Sequence, residues 1–181
     1  MSKALQGMLL FIASEATFFL MLVMSYVNFH KVIHFSAESY LDPLKTGMFS
    51  IALFASSFTM WCAENSFKKQ NRGWLRFWLA ITIILGTIFI AGQGIEYADL
   101  IEHHITISRD LFGTTFFTLT GFHGLHVIIG LLLLLSLLGL CTFGRKIEPT
   151  SGGMHCIAYY WHFVDVVWVF IFSVVYLWRY V

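Results

Sequence analysis

Charged residues cut this chain into long apolar intervals. Between Lys3 and Lys31 the only Asp, Glu, Lys or Arg is Glu15. Residues 46–63, 77–95 and 111–144 carry none, and between Glu148 and Arg179 the only one is Asp165. Each interval meets or approaches the roughly 20 residues that an α-helix needs to cross a hydrocarbon core. The pattern predicts five membrane-spanning helices, near residues 5–29, 44–63, 74–96, 113–142 and 154–180, forming an all-α bundle in a single membrane domain over residues 1–181. Asp42–Pro43 suits a helix start, with Asp as cap and Pro at the first helical position. Pro149 and Gly152–Gly153 mark the last connection as a loop. No repeat, low-complexity segment or long linker divides the chain.

Composition points the same way. Of 181 residues, 58% are hydrophobic and only 12% charged, with 19 Phe, against roughly 25% charge in a soluble domain. The bilayer is the expected solvent. A net charge of +1, with no basic block beyond Lys68–Lys69 and its neighbours, excludes nucleic acid as a partner. The N-terminal apolar run is too long for a signal-peptide core and carries Glu15 in its middle, so it reads as a mature helix. Cys62, Cys141 and Cys156 are odd in number and form no C-x-x-C pair, so no disulfide framework is implied.

Lys and Arg in short loops set the orientation. The N-terminus and the second and fourth loops hold seven (Lys3, Lys68, Lys69, Arg72, Arg76, Arg145, Lys146), and the opposite side four (Lys31, Lys45, Arg109, Arg179). The N-terminus is expected in the cytoplasm and the C-terminus outside. The cysteines then lie at cytoplasmic helix ends, and Glu38, Asp42, Asp99, Glu102 and Asp110 form an outer acidic rim. Trp61, Trp74, Trp78, Trp161 and Trp178 fall near the expected interfaces, as an aromatic belt does.

Ionisable residues at membrane depth carry the candidate chemistry, because they are costly there and face protein or polar cavities. Glu15 lies about ten residues into the first span, roughly 15 Å deep at 1.5 Å per residue. It reads either as a proton-handling group or as a neutral carboxyl hydrogen-bonded to a neighbouring helix. His123 and His126 share a face of the fourth span, continued by Gly130, while His162 and Asp165 share one of the fifth. Imidazole and carboxylate suit a metal. The other reading is a polar seam between the fourth and fifth spans, which the glycines beside the histidines favour by letting helices approach. Glu64 and Glu96, at span ends, read as interfacial. Glu102 with His103–His104 reads as a solvated loop or a surface metal site. The chain has no Gly-rich phosphate loop, no supported nucleophile set, no Arg-rich voltage-sensing helix and no paired interrupted helices of a transporter. A free-standing channel built around Glu15 and a membrane metalloenzyme remain alternatives at this point.

Four stretches resemble one family: Phe11–Phe19 (FIASEATFF), Gln93–Tyr97 through Thr106–Asp110, Gly113–Phe117 with Thr120–Gly130 (TGFHGLHVIIG), and Tyr160–Trp168 (YWHFVDVVW). In order and in content the chain is similar to subunit III of the haem–copper terminal oxidases, the cytochrome c oxidase subunit III family. The likeness is to the five-helix bacterial form, without the two N-terminal helices of the seven-helix form. The resemblance implies a non-catalytic subunit of a proton-pumping respiratory oxidase, multi-pass in the bacterial cytoplasmic membrane, that reduces oxygen with electrons from cytochrome c or, alternatively, quinol. It implies subunit I as main contact, with subunit II, a small fourth subunit and membrane lipids as further partners. Haem and copper belong to subunits I and II, so no cofactor or metal is expected in this chain. Phospholipid occupies a cleft in seven-helix members that uses the two helices absent here. Glu15 matches the family's carbodiimide-reactive intramembrane glutamate. Support of proton uptake and protection during turnover are the implied roles, and Glu15, Glu96, His123, His126, His162 and Asp165 the expected intramembrane polar frame.

Overall fold

The computed structural model describes residues 3–32, 42–107, 111–143 and 151–177. Glu38, Arg109, Asp110, Arg145, Lys146, Glu148, Pro149, Trp178 and Arg179 lie outside the described residues. Among those described there is no strand. Five α-helices follow one another: α1 (Lys3–Val32), α2 (Pro43–Lys68), α3 (Arg72–Glu102), α4 (Leu111–Phe143) and α5 (Ser151–Phe172), the last continuing as a π-helical turn over Ser173–Leu177. All five are long and apolar enough to cross a membrane. The protein is a multi-pass membrane bundle.

Helix ends follow from local chemistry. Asp42 caps α2 by accepting from the backbone N–H groups of Leu44 and Lys45, and Pro43 fills the first helical position. The three residues between α2 and α3 turn the chain through Gln70, whose φ of 53° is left-handed. The Asn71 side chain then accepts from Trp74 N–H to start α3. Gly152–Gly153, expected in a loop, instead lie in the first turn of α5. Glycine in a first turn costs less than in a helix interior.

Pairings between helices fix the topology. Thr59 Oγ1 meets Thr82 Oγ1 at 2.8 Å (α2–α3), Tyr97 OH meets Thr120 Oγ1 at 2.8 Å (α3–α4), and Arg76 Nε donates to the Cys141 carbonyl at 2.9 Å near the end of α4. Trp168 Nε1 donates to Ser50 Oγ at 2.8 Å and Trp161 Nε1 to Ser56 Oγ at 3.0 Å (α5–α2). In every pair residue numbers rise on one helix as they fall on the other, so the partners run antiparallel. α2, α3, α4 and α5 form a four-helix ring, and α1 packs into the α4–α5 side of it.

Polar side chains lie inside the bundle, and many large apolar ones face outward. Ser50, Ser56, Thr59, Thr82, Thr120 and His123 are buried, while Leu10, Met21, Phe122, Leu125, Leu132 and Phe170 are exposed. Lipid is as apolar as leucine, so close packing and interhelical hydrogen bonds hold such a bundle together. Trp161 shows how. It is buried in the ring centre rather than in the interfacial belt. A Cβ on Gly86 would come within 2.8 Å of its Cη2, and one on Gly130 within 2.9 Å of its Cε3. Two glycines on α3 and α4 make the slot that this indole fills. Trp61 and Trp74 are exposed and Trp78 half-buried.

Candidate functional site

Glu15 on α1 reaches α4. Its Oε2 lies 3.1 Å from His126 Nε2. The other ring nitrogen of His126, Nδ1, lies 2.7 Å from the Phe122 carbonyl. A carbonyl only accepts, so Nδ1 carries a hydrogen. The Glu15–His126 contact then needs one proton between its two atoms, as a carboxyl donating to imidazole or as a carboxylate accepting from imidazolium. Both arrangements are neutral in sum, which suits a place where net charge is costly. The Phe19 ring packs edge-on against His126 at 5.0 Å, and Tyr160 OH donates to the His126 carbonyl at 3.0 Å. The pair thus gathers α1, α4 and α5.

His123, one turn earlier, does not join it. Its ring stacks on Trp168, with centroids 4.9 Å apart and planes 24° apart, and meets the edges of Phe89 and Phe19. It is fully buried, and neither nitrogen has a hydrogen-bond partner among the described residues. The two histidines share a buried face of α4 but do not converge on a common point. Of the glycines beside them, Gly124 has nothing within 4 Å of where its Cβ would stand, and Gly130 makes the close approach, to Trp161.

The second group lies elsewhere than expected. His162 and Asp165 face α2, so the polar seam runs along the α2–α5 interface instead of α4–α5. Ser57 Oγ lies 3.0 Å from His162 Nδ1 and also hydrogen-bonds Asp165 Oδ2. Asp165 Oδ1 is buried without a partner among the described residues. Trp161, Val164 and Trp168 on the same helix are buried in the core, which turns this face inward.

Two further clusters sit towards the ends of the α2–α5 seam. Glu96, expected at an interface, accepts from Tyr176 OH at 2.8 Å, Thr46 Oγ1 at 2.9 Å and Gln93 Nε2 at 3.2 Å, which ties α2, α3 and the π-turn together. Glu64, expected likewise, pairs with His155 on α5, its Oε1 2.9 Å from Nδ1. The six expected frame residues thus divide among three hydrogen-bonded groups and one aromatic box. Sequence reasoning missed Ser57, His155, Thr46 and Tyr176. A signal existed: Ser57 and Glu64 are seven apart on α2, as are His155 and His162 on α5, so each pair shares a face. His103 caps α3, its exposed ring 2.8 Å from the Asp99 carbonyl. Among the described residues no three His, Cys, Asp or Glu side chains come together as a metal would require.

The chain matches the family model described as cytochrome c oxidase subunit III over residues 2–180. A cytochrome c oxidase subunit 3 from Synechocystis sp. is 38% identical over 175 residues, covering 94% of this chain and 74% of the relative. A probable cytochrome c oxidase subunit 3 from Mycobacterium leprae is 40% identical over 127 residues, 70% of this chain and 63% of that protein. The cytochrome c oxidase subunit 3 of Ornithorhynchus anatinus is 38% identical over 183 residues, 95% of this chain and 68% of the relative.

Proposed function

Because the chain belongs to the cytochrome c oxidase subunit III family, we propose that it serves as the non-catalytic subunit III of a proton-pumping haem–copper terminal oxidase, packed on subunit I and drawing on cytochrome c. The observation that carries this is the family match over residues 2–180, almost the whole chain. The names of the relatives favour cytochrome c over quinol as donor.

Haem and copper are assigned to subunits I and II, with a small fourth subunit and lipids completing the surroundings. His123 and His126 fit a resident metal poorly. Both ring nitrogens of His126 are engaged, and His123 is boxed in by Phe19, Phe89 and Trp168. Their chemistry is instead that of a frame: Glu15, Glu96, His123, His126, His162 and Asp165 hold five helices in register where lipid offers no hydrogen bonds. A fixed frame is what a subunit needs in order to steady its neighbour through many turnovers and keep that neighbour's proton entrance open. The exposed apolar side chains of α1, among them Leu10, Leu20 and Met21, supply an intramembrane surface for that neighbour. The chain is placed in a bacterial cytoplasmic membrane with its N-terminus inside.

The test is a mild-detergent pull-down of the chain from its own membranes, with a reduced-minus-oxidised optical spectrum and mass identification of partners. Haem bands with a large co-purifying oxidase subunit are expected, and oxygen consumption on adding reduced cytochrome c. Turnover with quinol alone would reassign the donor. A colourless complex lacking subunits I and II would overturn the reading.

A further inference from the structure

Ser57 has one hydrogen to donate and two acceptors in reach. Its Oγ touches Asp165 Oδ2 and lies 3.0 Å from His162 Nδ1. With the Ser57 hydrogen lying in one of these contacts and the imidazole neutral, two arrangements make both contacts hydrogen bonds. In the first, Asp165 is a carboxylate accepting from Ser57, and His162 carries its hydrogen on Nδ1 and donates to Ser57. In the second, Asp165 is a carboxyl donating to Ser57, Ser57 donates to Nδ1, and His162 carries its hydrogen on Nε2.

The two states differ by one proton and by the direction of both hydrogen bonds. We propose that Asp165, Ser57 and His162 form a proton-exchange site across the α2–α5 interface, in which a proton taken up at His162 is stored on Asp165. The step balances. A proton adds to His162 Nε2, the Nδ1 hydrogen passes to Ser57 Oγ, and the hydrogen already on Ser57 passes to Asp165 Oδ2. No heavy atom need move, since every contact exists in both states.

Burial gives the site a direction. His162 is half-buried and Asp165 buried, so the imidazole is the end that exchanges and the carboxyl the end that stores. The Glu64–His155 pair sits two turns along the same faces of α2 and α5, towards the Lys68 end of the bundle, and puts a carboxylate and an imidazole between the site and that membrane edge. The titratable groups on the other helices packed against α5 are occupied elsewhere: Glu15 and His126 with each other, His123 in its aromatic box. Towards the Leu177 end, Trp168 donates its indole N–H to Ser50 and lies between the relay and Glu96, which is engaged with Tyr176 and Thr46. The site is separate from Glu15 and depends on no partner's cofactor, so it stands whether or not the donor assignment holds.

Infrared pH-difference spectroscopy on the purified intact complex tests it, with ring-15N histidine to mark imidazole modes. The carboxyl stretch of Asp165 and a tautomer change of one histidine are expected to rise together on acidification. Both signals should vanish in Asp165→Asn. In Ser57→Ala they should part, titrating at different pH values, because the bridge that couples them is gone. A wild-type spectrum without an Asp165-dependent carboxyl band overturns the proposal, as does a Ser57→Ala spectrum in which the two signals still titrate together. If Asp165→Asn fails to assemble, His162→Gln takes its place: loss of the histidine signal with an altered carboxyl band supports the site, and an unchanged carboxyl band overturns it. The haem spectrum of the same sample reports separately on the oxidase assignment.

Discussion

Glu15 and His126 share one proton across the α1–α4 interface. The hydrogen on His126 Nδ1 is committed to the Phe122 carbonyl, so the 3.1 Å contact between Nε2 and Glu15 Oε2 must hold the next one. Gln at position 15 offers an amide N–H to the same nitrogen and keeps the bond without the shared proton. Glu15→Gln is therefore expected to assemble, with durability in turnover changed at most modestly. Glu15→Ala leaves Nε2 unsatisfied and should cost on the order of 0.6 kcal/mol, up to ~1.7 for a membrane hydrogen bond. Thermal unfolding in detergent and the decay of oxygen consumption over repeated turnovers measure the two effects. Abolished oxygen reduction in Glu15→Gln would mean that the proton itself, and not the bond, is required.

Gly124 and Gly130 look alike in the sequence and differ in the fold. A methyl on Gly130 would stand 2.9 Å from the Trp161 ring, which Ser56 and Gly86 hold on its other sides. That ring cannot swing away, so Gly130→Ala should destabilise by about 1–3 kcal/mol, the usual cost of overpacking a core. Gly124 faces open space, and Gly124→Ala should lie within about 0.5 kcal/mol of the parent. Unfolding of the two variants side by side in one detergent checks both. Equal stabilities would mean that α4 slides to relieve Trp161.

The helices were legible because charge avoidance over a bilayer's thickness is a property of the chain alone. So was the burial of His126 and Asp165, and the half-burial of Glu15 against α4, since lipid leaves ionisable groups nowhere else to go. Their partners were not. Nothing local tells His126 that it faces α1, or His162 and Asp165 that they face α2, because helix rotation is set by packing between elements. Trp161 misled for the same reason. Its place on α5 suits a belt residue, and the slot that buries it is built by glycines on two other helices. Ser57 is ordinary in sequence; two acceptors from α5 make it a bridge.

Orientation has a direct test. The α2–α3 turn, with exposed Lys68 and Lys69, is expected on the cytoplasmic side. A membrane-impermeant amine reagent should label these lysines in inverted vesicles and spare them in right-side-out ones, read by mass spectrometry of the turn peptide. Lys45, exposed at the start of α2, should show the reverse. Labelling of both sites from one face would contradict the crossing of the membrane by α2, and an exchange of the two patterns would invert the protein.

Asp165 is the residue whose loss should matter most to assembly. It is buried, and through Ser57 it joins α5 to α2. Asp165→Ala removes the acceptor, leaves a cavity beside Val164 and Trp168, and returns Ser57 to a single partner, His162. Loss of one such bond is worth about 0.6 to 1.7 kcal/mol in a membrane protein. An unfilled space at this helix contact adds to that, at about 24 cal/mol per Å³ of residual cavity. Together these should loosen the α2–α5 contact and lower retention of the chain in the detergent-purified complex. Asp165→Asn keeps the volume and an acceptor oxygen and is expected to recover most of the loss. Subunit stoichiometry after purification decides it: wild-type yield and retention for Asp165→Ala would show that Trp161 and Trp168 suffice to hold the interface without the carboxylate.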